Sequence, residues 1–308
     1  MASLNRNGEP FIIAAIPAYN EERTIARTIL MAQRHVDKVV VCDDGSTDMT
    51  AHIARQLGAD VATHTTKKGY GAAIQTLFRT ARALDADIMV TLDADGQHNP
   101  GEIPAMVAPI LERKADVVIG SRFLGEMEKR SQMPRYRQIG IKAITKLTRA
   151  TSKHDLSDAQ CGFRVYSRRA LEDLSLCENG MGVSVEVLMQ AKKHGLTVVE
   201  VPAECSYSES ERTSTSNPLS HGAGVVMSIV KLVVEQRPLV FLGIPGVICL
   251  LIGALFGIYM LQLYSIEHRI VTNVALASVA FALIGLFALF TAITLYAITR
   301  LMQKTGSQ

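Results

Sequence analysis

The C-terminal end of the chain constrains its fold most. Leu239 to Ile266 carries no charge, nor does Ile270 to Thr299, and only Glu267, His268 and Arg269 separate the two stretches. Each exceeds the roughly 20 residues a helix needs to cross about 30 Å of hydrocarbon. Three separating residues suffice only for a tight turn. The pair therefore reads as a transmembrane hairpin rather than as buried helices of a soluble core, which seldom run this long without charge. Lys231 and Arg237 precede the first stretch and Arg300 and Lys304 follow the second, whereas the turn offers Arg269 and a histidine. This Lys/Arg bias places both ends of the hairpin, and the large segment before it, on the cytoplasmic side of a cell membrane or endomembrane.

The average composition hides this division. Charged residues make up 20% of the 308, yet nearly all of them precede the first apolar stretch. A net charge of +3, with no basic run, argues against a nucleic-acid partner. The cysteines (Cys42, Cys161, Cys177, Cys205 and Cys249) form no CxxC pair and no zinc-spaced set. An odd, scattered set suggests reduced thiols in a cytosolic compartment. Met1 to Pro10 is polar and does not resemble a signal peptide, so the chain is expected to begin in the cytosol. Leu219 to Gln236 places Val226, Ile229, Val230, Val233 and Val234 at helical spacing. This amphipathic helix would lie on the membrane surface or pack on the preceding domain. The expected organisation is a domain over residues 1–217, the juxtamembrane helix over 218–237, and the hairpin with a short tail over 238–308.

Within the first segment, short β-branched runs recur at Phe11–Ile16, Lys38–Cys42, Asp60–Ala62, Asp87–Leu92 and Asp116–Ile119. Helical patterns fill the gaps. Glu21 to Arg34 carries Ile25, Ile29 and Leu30 as a face. Thr47 to Leu57 follows Ser46 as N-cap and stops at Gly58, and Gly71 to Leu84 and Pro100 to Arg113 come next. Strand and helix alternating at this spacing imply βαβ units and a mostly parallel, Rossmann-like sheet. Ligands of such sheets bind beyond the carboxyl ends of the strands.

Polar motifs occupy those ends. Pro17-Ala18-Tyr19-Asn20-Glu21 follows Ile16, and Asp43-Asp44-Gly45-Ser46 follows Cys42. Asp93-Ala94-Asp95-Gly96-Gln97-His98 follows Leu92, and Gly120-Ser121-Arg122 follows Ile119. Any one of them could be a turn or a cap; four on one rim point to a site. Asp93 and Asp95, two apart at a strand end, can converge on one hard cation such as Mg2+ or Mn2+, which would neutralise a nucleotide diphosphate. Gly69-Tyr70-Gly71 suggests a dinucleotide fold, but Ile74 stands where the third glycine would be and the motif follows the third strand. Those glycines fit a close backbone approach to a ligand, or a loop before a helix.

Taken together, these motifs resemble the inverting glycosyltransferase family 2, of GT-A fold, over about the first two thirds of the chain. Asp158-Ala159-Gln160-Cys161-Gly162-Phe163-Arg164 is similar to the Asp-x-x-x-Gly-Phe-Arg element of its polyprenyl-phosphate sugar transferase branch, which includes dolichol-phosphate mannose synthase. The resemblance implies that Pro17, Tyr19, Glu21 and Asp44 hold the nucleoside and that Asp93 touches ribose or sugar. It implies Asp95 and Gln97 as metal ligands, Arg122 and Arg137 facing the acceptor phosphate (with Arg135 a rival for Arg137), and Asp158 near the acceptor. The family's Arg-x-x-Gly-x-Ser-Lys segment is here Arg212-Thr213-Ser214-Thr215-Ser216-Asn217, without its glycine and lysine.

The implied reaction is metal-dependent, inverting transfer of mannose, glucose or an N-acetylhexosamine from a GDP- or UDP-sugar to a polyprenyl or dolichyl phosphate at the cytoplasmic membrane face. An alcohol acceptor would need a general base, whereas a phosphate monoester is anionic near pH 7 and attacks directly. A processive polysaccharide synthase would carry a Gln-x-x-Arg-Trp element, and this chain has no tryptophan. Two rival readings are transfer to another lipid acceptor and a non-catalytic membrane scaffold. Assembly into an oligomer is left open.

Overall fold

A computed structural model describes residues 9–124, 141, 145, 156–205, 239–268 and 270–305. The expected juxtamembrane helix, Arg137 with its rival Arg135, and Arg212 lie outside the described residues. The chain divides into two compact units, parted near residue 228.

In the first unit β1 (Ile12–Ala18), α1 (Ile25–Ala32), β2 (Lys38–Asp43), α2 (Thr50–Gln56), β3 (Asp60–Thr63), α3 (Tyr70–Ala83) and β4 (Ile88–Thr91) follow in strict alternation. A 3-10 turn (Pro100–Glu102), α4 (Ile103–Leu111), β5 (Val117–Ser121), β6 (Arg164–Ser167), α5 (Arg168–Asp173), α6 (Val183–Lys193) and β7 (Val198–Pro202) complete it. The seven strands form one sheet in the order β3-β2-β1-β4-β6-β5-β7. All neighbours run parallel except β6, which is antiparallel to both β4 and β5. Residues 13–16, 39–42, 88–90 and 117–119 are buried, as expected of central strands covered on both faces. α3 packs on β1 and β2, and α4 on β5 and β6.

Two details depart from the sequence reading. The buried stripe of α1 is Ile25, Thr28, Ile29 and Ala32, and Leu30 is 50% exposed. Leu30 is five residues from Ile25, which turns it well off a 3.6-residue stripe. Nor does Ser46 cap α2, whose N-cap is Met49. The Ser46 hydroxyl accepts instead from the Asn20 amide at 2.9 Å, tying the loop after β2 to the loop after β1.

The second unit is a helical pair. A π-helical turn (Leu239–Gly243) leads into α7 (Ile244–Glu267), and α8 (Thr272–Thr305) follows. His268 ends α7 in a left-handed conformation, φ 54°. Both helices are long and apolar enough to cross a membrane, and their large side chains, among them Leu251, Leu255, Leu276, Phe287 and Phe290, face outward. Small residues line the contact between them: a Cβ on Gly285 would stand 2.6 Å from the Gly246 carbonyl, and Ser278 Oγ donates to the Gly253 carbonyl at 2.8 Å. Close approach through small residues is how helices associate in lipid, where no hydrophobic drive holds them together.

Candidate active site

The carboxyl ends of β1, β2, β4 and β5 lie on one rim and deliver all four motifs there. The antiparallel β6 brings a fifth. Because it starts where β4 and β5 end, with Arg164 opposite Thr91 and Ile119, residues 158–163 reach the same rim. A cleft of about 290 Å³ opens there, lined by Pro17, Tyr19, Glu21, Asp44, Asp93, Asp95 and Gln97. These are all seven residues read as nucleotide- or metal-binding. Lys67, Tyr70 and Met181 also line it. No motif marked them, although Tyr70 lies between the glycines at 69 and 71 and Lys67 just before them.

Asp93 is held from three sides. Tyr70 donates to its Oδ1 at 3.3 Å, and the His98 Nε2 stands 3.6 Å from its Oδ2. A Cβ on Gly162 would meet its oxygens at 2.5 and 2.8 Å, so any side chain at that place in the Gly-Phe-Arg element would push the Asp93 carboxylate aside. Burial opposes the Asp93 charge, but His98, Tyr70 and the Arg122 guanidinium outweigh it and hold its carboxyl below the usual range. Glu21 behaves oppositely: burial, helped by the charges of Asp95, Asp48 and Asp93, pushes its carboxyl up to about 7.

Clustered acids of this kind fit a divalent cation, whose charge would relieve the repulsion. Asp95 and Gln97 offer hard oxygen donors suited to Mg2+ or Mn2+. Among the described residues no group of three or more His, Cys, Asp or Glu could hold a metal unaided, so a cation there would draw further ligands from a nucleotide diphosphate. The Asp95–Gln97 turn is fixed locally: Asp95 Oδ1 accepts from the Gln97 amide at 3.0 Å, and the Cys205 thiol lies 3.7 Å from Gln97 Oε1. Residue 205 also bridges to His98, so the chain beyond β7 is tied to the Asp95–His98 loop.

Asp44 lines the cleft, but its carboxylate is already engaged. Oδ1 accepts from His64 Nδ1 at 2.7 Å and from the Lys68 amide at 2.8 Å, and Oδ2 accepts from the Gly69 amide at 2.8 Å. The loop it holds carries Lys67, whose ammonium sits 3.7 Å from the centre of the Tyr19 ring, a cation–π geometry. Beneath lies Cys42, whose thiol burial and the Asp44 charge push up to about 12; it is an inert core group.

The Gly69-Tyr70-Gly71 question is settled by what those glycines touch. The Gly71 and Ala72 amides, at the start of α3, donate to the Asn179 carbonyl at 2.9 and 3.3 Å. A Cβ on Gly71 would fall 2.0 Å from the Glu178 carbonyl. The close approach is to the chain's own 178–180 loop, and the helix N-terminus that would grip a dinucleotide phosphate is occupied by a carbonyl.

Arg122 and Asp158 are joined. Arg122 Nε and Nη2 donate to the two Asp158 oxygens at 2.5 and 2.8 Å, a bidentate pair. Asp158 has no exposed surface. The Ser157 and Asp158 amides donate in turn to the Glu200 carboxylate at 2.7 and 2.8 Å. Arg164, buried, donates to the carbonyls of Cys161, Ala159 and Ser184. The arginine of the Gly-Phe-Arg element is thus a clamp that shapes the 158–163 loop and joins it to α6.

The comparisons with known proteins agree with this architecture. The family model described as Glycosyl transferase family 2 matches residues 13–175. A UDP-N-acetylglucosamine–dolichyl-phosphate N-acetylglucosaminyltransferase of Methanococcus voltae is 33% identical, covering 65% of this chain and 88% of that one. A dolichyl-phosphate hexose transferase of Haloferax volcanii is also 33% identical, over 71% of this chain and 92% of that one. Among solved structures, glucosyl-3-phosphoglycerate synthase of Mycobacterium tuberculosis, in complex with Mn2+, UDP and glucosyl-3-phosphoglycerate, superposes with a TM-score of 0.55. It is 23% identical and covers 72% of this chain and 79% of that one; at that identity the likeness speaks for the fold. The match to the family model over more than half the chain, on the strands and strand ends that build the cleft, shows that the chain belongs to glycosyltransferase family 2.

Proposed function

We propose that this protein transfers a sugar from a nucleoside diphosphate sugar to a polyprenyl or dolichyl phosphate, with inversion at the anomeric carbon, at the cytoplasmic face of a membrane. The observation that carries the reading is the cleft itself. Asp93, Asp95 and Gln97 from the end of β4 meet the ends of β1 and β2 around a space suited to a nucleotide sugar, in a chain whose relatives are named for dolichyl-phosphate acceptors. The apolar hairpin supports the acceptor side, since an anchored enzyme stays within reach of lipid headgroups.

In this account Pro17, Tyr19, Glu21 and Asp44 bound the nucleoside end and Asp93 receives a ribose or sugar hydroxyl. Asp95 and Gln97 would hold Mg2+ or Mn2+, which supplies charge neutralisation to the diphosphate. A phosphate monoester has its second pKa near 6, so the acceptor is already an anion at pH 7. One of its oxygens attacks the anomeric carbon, the bond from that carbon to the diphosphate oxygen breaks, and the nucleoside diphosphate departs with the electron pair. No proton needs to be removed, so the protein's task is alignment and charge stabilisation. Arg122, oriented by Asp158, and Arg137 are the groups proposed to meet phosphate, because a guanidinium fork grips it without titrating. Residues 1–217, 218–237 and 238–308 remain the proposed division into catalytic domain, juxtamembrane helix and anchor.

A panel of UDP- and GDP-sugars offered with one polyprenyl phosphate and Mn2+ or Mg2+ tests this reading and names the donor. Asp95→Ala is expected to abolish transfer while leaving the folded state intact. Transfer at the wild-type rate by that variant would remove Asp95 from the metal site and overturn the assignment.

A further inference from the structure

The geometry points to His64 as the positioning residue of the nucleotide pocket: by holding Asp44, it sets the loop that carries Lys67 and Tyr70 into the cleft. The inference rests on the nucleotide-sugar reading and deepens it. His64 follows β3 and is 8% exposed. Its Nδ1 lies 2.7 Å from Asp44 Oδ1 and its Nε2 2.9 Å from Thr76 Oγ1 on α3. A carboxylate can only accept, so Nδ1 must carry the proton, and in the neutral ring Nε2 then accepts from the threonine hydroxyl. His64 is in this way braced against α3 and presents one fixed N–H to Asp44.

Asp44 relays that constraint. Its remaining bonds, from the Lys68 and Gly69 amides at 2.8 Å each, fold the 67–70 loop back over the end of β2. On one side of this anchor Lys67 covers the Tyr19 ring. On the other, Tyr70 reaches Asp93. One buried imidazole–carboxylate pair therefore governs both the Tyr19 end and the Asp93 end of the cleft. A carboxylate deprived of a buried donor loses its fixed rotamer along with the hydrogen bond, and the Lys68 and Gly69 amides then lose the acceptor that fixes them, leaving the Asn179 carbonyl to hold only the α3 end of the loop. His64 has no surface in the cleft lining, so its effect would be exerted through Asp44 rather than on the ligand.

The two ring nitrogens give the test its discrimination. In His64→Asn the amide nitrogen stands where Nδ1 was and keeps the bond to Asp44. In His64→Gln it stands where Nε2 was and reaches Thr76 instead. Kd for UDP or GDP, whichever the wild-type protein binds, measured by titration calorimetry on the full detergent-solubilised chain with Mn2+, should rise about tenfold in His64→Gln, the equivalent of about 1.4 kcal/mol. It should stay within about threefold of wild type in His64→Asn, and Thr76→Val, which leaves the Asp44 bond intact, should likewise match wild type. KM for the nucleotide sugar should follow the same order, with KM for the lipid phosphate unchanged. A merely structural histidine would make the Asn and Gln variants alike, or raise both KM values together, and either result overturns the inference. Wild-type affinity in His64→Gln overturns it alone, whereas failure of the wild-type protein to bind any nucleoside diphosphate overturns the nucleotide-sugar reading as well.

Discussion

Replacing Asp158 with alanine should destabilise the catalytic unit more than any other single change at the rim. The Asp158 carboxylate accepts from Arg122 Nε, Nη2 and main-chain amide and from the Gln160 amide, at 2.5, 2.8, 3.3 and 3.3 Å. It has no solvent-exposed surface, and the Arg122 side chain is only 12% exposed. Removing one partner of a buried pair strands the other charge and costs about 3–5 kcal/mol. For a unit of this size each kcal/mol lowers Tm by about 2–4 °C, so the midpoint should fall by about 6–20 °C. Asp158→Asn keeps an acceptor and should cost less. Arg122→Met combined with Asp158→Leu removes both charges and should recover part of the loss, since an apolar pair of similar volume is often as stable as an ion pair. Melting of the solubilised protein, followed by near-ultraviolet circular dichroism, reads these three variants together with Arg122→Met and Asp158→Leu alone. A fall below about 2 °C in Asp158→Ala, or strictly additive effects in the double variant, would refute the reasoning that a buried, mutually dependent pair holds this loop.

Two further outcomes follow from the cleft. Gly162→Ala needs no unusual backbone, but its Cβ would stand 2.5 Å from Asp93 Oδ2; it should raise KM for the nucleotide sugar by about tenfold or more while costing about 1–3 kcal/mol of stability, and unchanged kinetics would show that the Asp93 orientation is immaterial. Glu21, whose carboxyl is pushed up to about 7 against 4.5 unfolded, binds its proton more tightly folded than unfolded. Its unfavourable contribution is therefore absent below pH 4.5 and grows as pH rises through 7. In metal-free buffer Glu21→Gln should match wild type at pH 4 and exceed it in denaturant midpoint at pH 8; equal midpoints at pH 8 would contradict the burial of that charge.

Strands β1, β2 and β4 were legible because they are almost wholly buried and apolar, and each ends on a polar motif. Those strand ends are where the cleft lies, and the residues read for nucleotide and metal all line it. Position 30 misled because a leucine next to Ile29 looks apolar without regard to angle. The 158–164 element could be recognised as a motif but not located, since its place depends on β6 running antiparallel between β4 and β5. That pairing joins residues 73 to 79 apart on the β4 side and 45 to 49 apart on the β5 side, and no local pattern records it. Lys67 and Tyr70 escaped for a related reason. Their positions are set by Asp44, 24 residues from Lys68, and by His64, an isolated histidine with nothing in its neighbours to mark it. The glycines at 69 and 71 were visible, but their partner is a loop more than 100 residues further along the chain.

The most direct test of the account is the chemical nature of the product. The full-length protein in detergent, with radiolabelled nucleotide sugar, a divalent cation and polyprenyl phosphate, should yield a labelled lipid that extracts into organic solvent, requires the phosphate on the acceptor, and releases its sugar in mild acid, as a glycosyl phosphodiester does. Label in an acid-stable lipid, or equal transfer to the dephosphorylated polyprenol, would contradict the central claim that an anionic lipid phosphate attacks without a general base.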